Sequence, residues 1–191
     1  HWYYFNSKGV PKADEDGIPT KDDLLTINGK TYLFNNVGNP VYGLRKVYLG
    51  ESEDESNYTS YYFGEDDNDC WAHSGKIKVE EDSGEENTYY FTSAGRGFTG
   101  IKDNYLYYVG KLQVAQNDKY ELINVPGKDY AVMVNSSGKV MKSTTVKNSD
   151  DIKYKTNSSG QVIEIDGEEV SGVTGIDPEE PNYVTDDWYS N

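Results

Sequence analysis

The sequence predicts an all-β protein, an elongated β-hairpin solenoid whose stacked repeats are about 20–30 residues long. Three observations predict this fold class. An aromatic cluster recurs at nearly constant spacing, a turn signal follows most copies of it, and no segment keeps the apolar periodicity of a helix.

The aromatic clusters occupy residues 2–6, 31–35, 60–64 and 88–92, and their second positions are 29, 29 and 28 residues apart. Alternate residues of a strand share a face, so the second and fourth positions of each cluster lie together. Both positions are aromatic in all four copies, which predicts that they form the stacking core of the repeats. The predicted core residues are Tyr3, Phe5, Tyr32, Phe34, Tyr61, Phe63, Tyr89 and Phe91.

Turn signals follow the clusters at residues 6–9, 35–38 and 92–95, and two later copies stand at 135–138 and 157–160. Asn and Ser hydrogen-bond their own backbone in turns, and Gly adopts positive φ at no steric cost. A second short run then follows, as at residues 40–42 and 161–163, so the pattern indicates β-hairpins. A lone hairpin is only marginally stable in water, and we therefore expect successive hairpins to stack on one another.

The composition of the 191-residue chain fits thin layers better than one deep core. Only 35% of the residues are hydrophobic, yet 18 are tyrosine. The net charge of −15 repels phosphate backbones, which argues against nucleic-acid and anionic-membrane partners. No apolar run is long enough to insert into a membrane. Cys70 is the only cysteine, so an internal disulfide is excluded and a small buried side chain is expected.

Residues 26–38, with the sequence TINGKTYLFNNVG, are the clearest repeat unit, and residues 2–9 and 88–97 match it well. This pattern resembles the cell-wall-binding repeats of Gram-positive surface proteins, which include choline-binding and glucan-binding repeats. The resemblance is clear over residues 1–101 and degenerate over 102–173. We therefore predict a repeat array over 1–173 and an acidic, Pro-containing tail over 174–191. The resemblance implies a secreted or wall-attached protein with a non-catalytic anchoring role.

In choline-binding members, the resemblance implies ligand cages of aromatic residues supplied by successive hairpins, since aromatic faces attract a quaternary ammonium. Here the family's Gly-Trp pair is replaced by Gly43-Leu44 and Gly100-Ile101, so most cage residues are missing. Stacking on a sugar needs only an exposed ring beside polar groups. The candidate ligand-binding residues are Trp2, Tyr4, Tyr42, Tyr62, Trp71 and Tyr90, and packing between hairpins is the alternative role for each.

Two other groups of residues are candidates, one for a catalytic site and one for a calcium site. His73 and Ser74 lie near Asp69 in sequence, but nothing in the pattern orients them as a nucleophile elbow would, so we predict no catalytic residue. The acidic runs 51–55 and 65–69 do not match the calcium-loop pattern, and we predict that they are solvated loops. The sequence therefore predicts neither a metal site nor a cofactor.

Together these features predict a non-catalytic surface module, secreted to the cell wall or cell surface, that binds cell-wall or extracellular glycan. The expected partner is a cell-wall polysaccharide, a glucan or a choline-bearing polymer. One alternative is a structural spacer or protein-interaction repeat that has lost ligand binding. A second is the accessory region of a cell-wall hydrolase whose catalytic domain lies outside this chain. The sequence leaves the oligomeric state open.

Overall fold

The computed structural model describes residues 2–10, 12–13, 18–50 and 56–185. The acidic run 51–55 and the end of the predicted tail, 186–191, lie outside these residues. Within them the regular structure is β-strand apart from one 3₁₀ turn at Lys21–Asp23, which confirms the all-β prediction. The described residues contain no helix long and apolar enough to cross a membrane.

The strands are short, and most of them end at a tight turn that leads into the next strand. They are β1 (Leu25–Ile27), β2 (Lys30–Tyr32), β3 (Leu44–Tyr48), β4 (Tyr58–Tyr62), β5 (Gly75–Glu80), β6 (Glu86–Phe91), β7 (Gly100–Lys102), β8 (Tyr105–Tyr108), β9 (Lys111–Leu112), β10 (Tyr120–Asn124), β11 (Ala131–Asn135), β12 (Thr145–Lys147), β13 (Lys153–Thr156), β14 (Val162–Ile165) and β15 (Glu168–Glu169).

The chain forms two units. The first comprises the residues up to Phe98 together with those from Pro181 onward, and the second comprises Thr99–Glu180. In the first unit the antiparallel hairpins are β1–β2, β3–β4 and β5–β6. In the second, β7–β8–β9 and β12–β13–β14–β15 pair in chain order, and β10–β11 is a further hairpin. Every one of these pairs is antiparallel and joins strands consecutive in sequence, as hairpins require.

The predicted turns share one hydrogen-bond pattern. In the turns that begin at Asn6, Asn35, Asn135 and Asn157, the side-chain oxygen accepts the backbone N–H groups two and four residues later, at 2.9–3.2 Å. The glycine N–H three residues later donates to the same asparagine's carbonyl. Asn148 forms the same turn, which sequence analysis missed because Asp151 takes the place of glycine with φ +65°.

Each unit contains buried clusters of its own. In the first unit the rings of Tyr61 and Phe63 stack with centroids 5.8 Å apart, and those of Tyr89 and Phe91 with centroids 5.7 Å apart. All four are buried, as expected for the stacking face. The second unit relies on aliphatic side chains instead. Its buried clusters contain Leu106, Ala115, Ile123, Val125, Val132, Val134 and Val140, and separately Met133, Val146 and Val162.

In the first two copies of the aromatic cluster, Phe34 is buried as expected, whereas Tyr3, Phe5 and Tyr32 correct the expected core. Tyr3 and Phe5 are 50% and 54% exposed, because residues 2–6 form no strand and the strand alternation does not assign their faces. Tyr32 is half-buried, while its neighbour Leu33 is fully buried. Strand β2 ends at Tyr32, so the alternation stops there and Leu33 turns inward.

Candidate functional site

Three of the ring side chains in the first unit, Tyr62, Trp71 and His73, form what we call the aromatic group. Tyr62 is the last residue of β4, and its carbonyl accepts the His73 N–H at 2.8 Å. The N–H of Ala72 donates to the Thr31 carbonyl on β2 at 2.7 Å. These backbone bonds hold residues 71–73 against two hairpins and so fix where the rings stand.

The rings of the aromatic group contact one another in series. Trp71 and His73 stack with centroids 5.7 Å apart and planes 11° apart, and the Tyr62 ring lies 5.5 Å from that of His73. Trp71 and His73 are half-buried, so part of each ring is accessible, whereas Tyr62 is buried. The arrangement is a short ring platform of which Trp71 and His73 are the accessible part.

A cation already contacts this platform. The Lys30 ammonium lies 3.1 Å from the centroid of the Trp71 ring. Tryptophan faces attract cations through the ring quadrupole, so the contact shows that this face accepts a positive group. Lys30 follows the tight turn at Asn28 and Gly29, which both have positive φ. Sequence analysis missed Lys30, because no spacing rule connects it to Trp71.

Carboxylates lie near two of these rings, Tyr62 and His73. Burial, and to a lesser extent the negative charges of Glu65, Asp69 and Glu80, together raise the pKa of Tyr62 to about 12. Asp69 also lies 2.8 Å from His73 Nε2. A cleft of about 380 Å³ adjoins Tyr62. Its lining includes Glu65, Glu80 and Glu86 and the Lys78 ammonium. The site can therefore offer ring faces together with anionic hydrogen-bond acceptors.

Trp2 and Tyr4 form a different contact, against Phe34. The Trp2 ring meets Tyr32 and Phe34 edge-on, with centroids 5.3 and 5.6 Å away, and Tyr4 lies 6.5 Å from Phe34. Nearby, the Cys70 thiol donates to the Asp67 carbonyl at 3.4 Å, and its pKa is raised chiefly by burial. Cys70 is thus the small buried side chain that was expected. These contacts give Trp2 a packing role.

The structure links two of the six predicted ligand residues, Tyr62 and Trp71, through His73. Tyr42 is 36% exposed, and Tyr90 is half-buried with its ring edge-on to Phe98 at 5.8 Å. A ligand role stays a prediction for all six residues. Ser74 is exposed beside the His73–Asp69 pair. In the part of the chain that the structure describes, no group of three or more His, Cys, Asp or Glu side chains could hold a metal ion.

Solved structures share this fold. CbpJ from Streptococcus pneumoniae TIGR4 superposes with a TM-score of 0.50 at 20% identity, over 85% of this chain and 45% of that one. Choline binding protein F from S. pneumoniae, solved with a peptidoglycan analogue, gives a TM-score of 0.49 at 22% identity, over 85% and 44% of the two chains. The chain thus spans less than half the length of these proteins. No family model and no curated protein matches it. The resemblance to choline-binding repeats is confirmed at the level of the fold.

Proposed function

We propose that this chain is a non-catalytic module that binds cell-wall or extracellular glycan through the aromatic group. One observation carries the proposal, which is that Trp71 and His73 stack as an accessible platform beside the carboxylates around Tyr62. Sugar rings present apolar C–H faces that lie flat on aromatic rings, and their hydroxyls donate to carboxylates. Binding sites commonly combine ring faces with a few polar groups in this way.

A choline-bearing polymer is one such ligand. The Lys30 ammonium lies on the Trp71 ring, so a cationic group fits this face, and the carboxylates around the neighbouring Tyr62 favour positive charge. The fold shared with CbpJ supports a module of the Gram-positive cell wall or cell surface. Many weak contacts of this kind along a polymer would together give durable attachment.

The competing function is a spacer or protein-interaction repeat without a ligand. Two contacts favour it. Lys30 already covers a face of Trp71, and Trp2 is packed against Tyr32 and Phe34. Both contacts leave less free ring surface than the sequence suggests.

Substituting Trp71 separates the two functions. We expect Trp71→Ala to weaken binding to purified Gram-positive cell walls about tenfold, the loss typical of one important aromatic contact. The measurement is a sedimentation assay with walls, followed by calorimetry with the released polysaccharide. Tyr3→Ala is the matched control, because Tyr3 is exposed and stands outside the aromatic group.

The same assay identifies the ligand chemistry. Lys30→Met removes the tethered ammonium, so binding of choline and of choline-bearing walls increases if a quaternary ammonium uses the Trp71 face. Binding unchanged by Lys30→Met indicates sugar stacking instead. If the unaltered chain binds no wall, or binds equally well after Trp71→Ala, the spacer function stands.

A further inference from the structure

The second unit contains a cleft of about 920 Å³ that none of the predicted ligand residues lines. We call it the tyrosine cleft, after the half-buried Tyr108 and Tyr130 in its lining. Its charged lining residues are Lys128, Asp129, Asp177 and Glu180. It combines two amphipathic rings with a net negative charge in a concave surface large enough for several sugar residues.

Residues 174–180 form one wall of the tyrosine cleft, although their composition predicts a tail. The Ile176 N–H donates to the Leu122 carbonyl at 2.9 Å, and the Asn124 N–H donates to the Ile176 carbonyl at 2.8 Å. The Asn124 side chain bonds both the N–H and the carbonyl of Gly175, at 2.8 and 3.0 Å. A Cβ at residue 175 would lie 2.1 Å from the Leu122 oxygen, so only glycine fits there.

Buried polar groups anchor the far end of this wall. The Gln113 amide, 2% exposed, accepts the Glu179 N–H at 2.7 Å and donates to the Glu179 carbonyl at 3.1 Å. The Lys111 ammonium, also 2% exposed, lies 2.7 Å from Glu179 Oε1. Buried polar groups are costly unless hydrogen-bonded, so these contacts hold the wall in place before any ligand arrives.

The carboxylates of the wall are oriented by neighbouring side chains. Asp177 Oδ1 accepts the Asn124 side-chain N–H at 3.0 Å, and Glu180 Oε1 accepts the Tyr108 hydroxyl at 3.2 Å. With Asp129 they provide three negative charges against the single positive charge of Lys128. Hydrogen bonds to such carboxylates are stronger than neutral ones, and an ammonium N–H adds a full positive charge on the donor side, which a sugar hydroxyl or an amide N–H does not.

We propose that the tyrosine cleft binds a saccharide that carries a protonated primary amine. The rings of Tyr108 and Tyr130 contact the sugar face, and Asp177 and Glu180 accept the N–H groups of the ammonium. A quaternary ammonium has no N–H to donate, so the cleft selects amino sugars. This site uses no residue of the aromatic group and does not rest on the function proposed for the first unit.

The test compares two oligosaccharides that differ only in the amine. Calorimetry of the full chain at physiological salt would use a glucosamine oligomer and its N-acetylated counterpart as probes. We expect the glucosamine oligomer to bind at least about tenfold more tightly, as one to two charge-assisted hydrogen bonds would give. Asp177→Asn keeps an oxygen for the Asn124 bond but removes the charge, and should weaken this binding about tenfold.

Two controls make the result decisive. The chain has a net charge of −15, so a polycation could bind it without using the cleft. Glu168→Gln removes the same charge from the exposed strand β15, outside the cleft, and should leave binding unchanged. The loss caused by Asp177→Asn should be the same in a Trp71→Ala background, which separates this site from the wall-binding function. Equal binding of the two oligomers, or equal effects of Asp177→Asn and Glu168→Gln, would overturn the proposal.

Discussion

At the scale of single residues, Tyr62 shows how one side chain joins packing to electrostatics. Its ring is buried between two hairpins, and its hydroxyl faces the field of Glu65, Asp69 and Glu80. Both effects disfavour the tyrosinate, and burial is the larger. The folded first unit therefore keeps the Tyr62 proton in a pH range where the unfolded chain releases it.

This difference predicts a pH dependence of stability. Unfolded Tyr62 ionises near its ordinary pKa of 10.0 and folded Tyr62 at about 12, so the stabilisation is complete below pH 10 and is lost as the pH rises through 12. Tyr62→Phe should reduce the fall in the free energy of unfolding between about pH 9 and about pH 12. Urea unfolding across that range measures it, with Tyr3→Phe as the control for losing a hydroxyl. Equal slopes for Tyr62→Phe and the unaltered chain would contradict the prediction.

Sequence reasoning found part of the site at this scale. The type and neighbourhood of Tyr62 and Trp71 were enough to select them as ring surfaces. The contacts of Lys30 with Trp71 and of His73 with both rings depend on how separate hairpins pack. No local period encodes such contacts, so a single sequence could not reveal them.

At the scale of the element, the Asn-x-x-Gly turn is the most regular feature of the chain. It was predictable because its geometry is local, since one side-chain oxygen caps two N–H groups and glycine supplies the positive φ. The strand faces were less predictable. Alternation assigns them correctly for Tyr61, Phe63, Tyr89 and Phe91 but fails where no strand forms, as at residues 2–6.

Two turn glycines test the difference between conformation and packing, Gly138 in an Asn-x-x-Gly turn and Gly167 in the turn between β14 and β15. At Gly138, with φ +81°, an added Cβ would lie 2.8 Å from Leu112 Cδ1 and 2.9 Å from the Gln113 oxygen. At Gly167, with φ +88°, nothing lies within 4 Å. Both Ala variants should lose about 1 kcal/mol to the left-handed conformation. Gly138→Ala should lose about 1–3 kcal/mol more to overpacking.

Both glycines belong to the second unit, so one denaturant titration followed by a signal from that unit compares them directly. Both variants bear the same cost of placing alanine in the left-handed conformation, so the difference between their stabilities reports the packing alone. Equal stabilities for Gly138→Ala and Gly167→Ala would show that the Leu112 contact is readily relieved by movement of that side chain.

At the scale of the whole molecule, the segment after residue 173 contributes to both units. Residues 175–180 bond Leu122, Asn124, Lys111 and Gln113 in the second unit. In the first unit, Tyr183 hydrogen-bonds Ser60 at 2.9 Å, and the Val184 carbonyl accepts from Arg45 Nη1 at 3.2 Å. From composition alone the sequence predicts a tail here. The segment is held by hydrogen bonds to the backbone of strands that are already formed, and such bonds need no apolar pattern in the sequence.

Removing residues 174–191 should therefore destabilise the second unit by about 3 kcal/mol or more, since buried Lys111 would lose the Glu179 carboxylate and Gln113 its two hydrogen bonds to the Glu179 backbone. Thermal unfolding of the truncated and full chains measures the effect. Glu168→Gln, on an exposed strand, serves as the mild reference substitution. A truncated chain that unfolds at the same temperature as the full one would refute this role for the segment.

The first unit is discontinuous in sequence, because the chain leaves it at Phe98 and returns at Pro181. The second unit is thus an insert with two covalent tethers to one host. A single proteolytic nick in either tether leaves both pieces linked through the other. An insert of this kind can also be exchanged as one cassette, without creating a new chain end in the host.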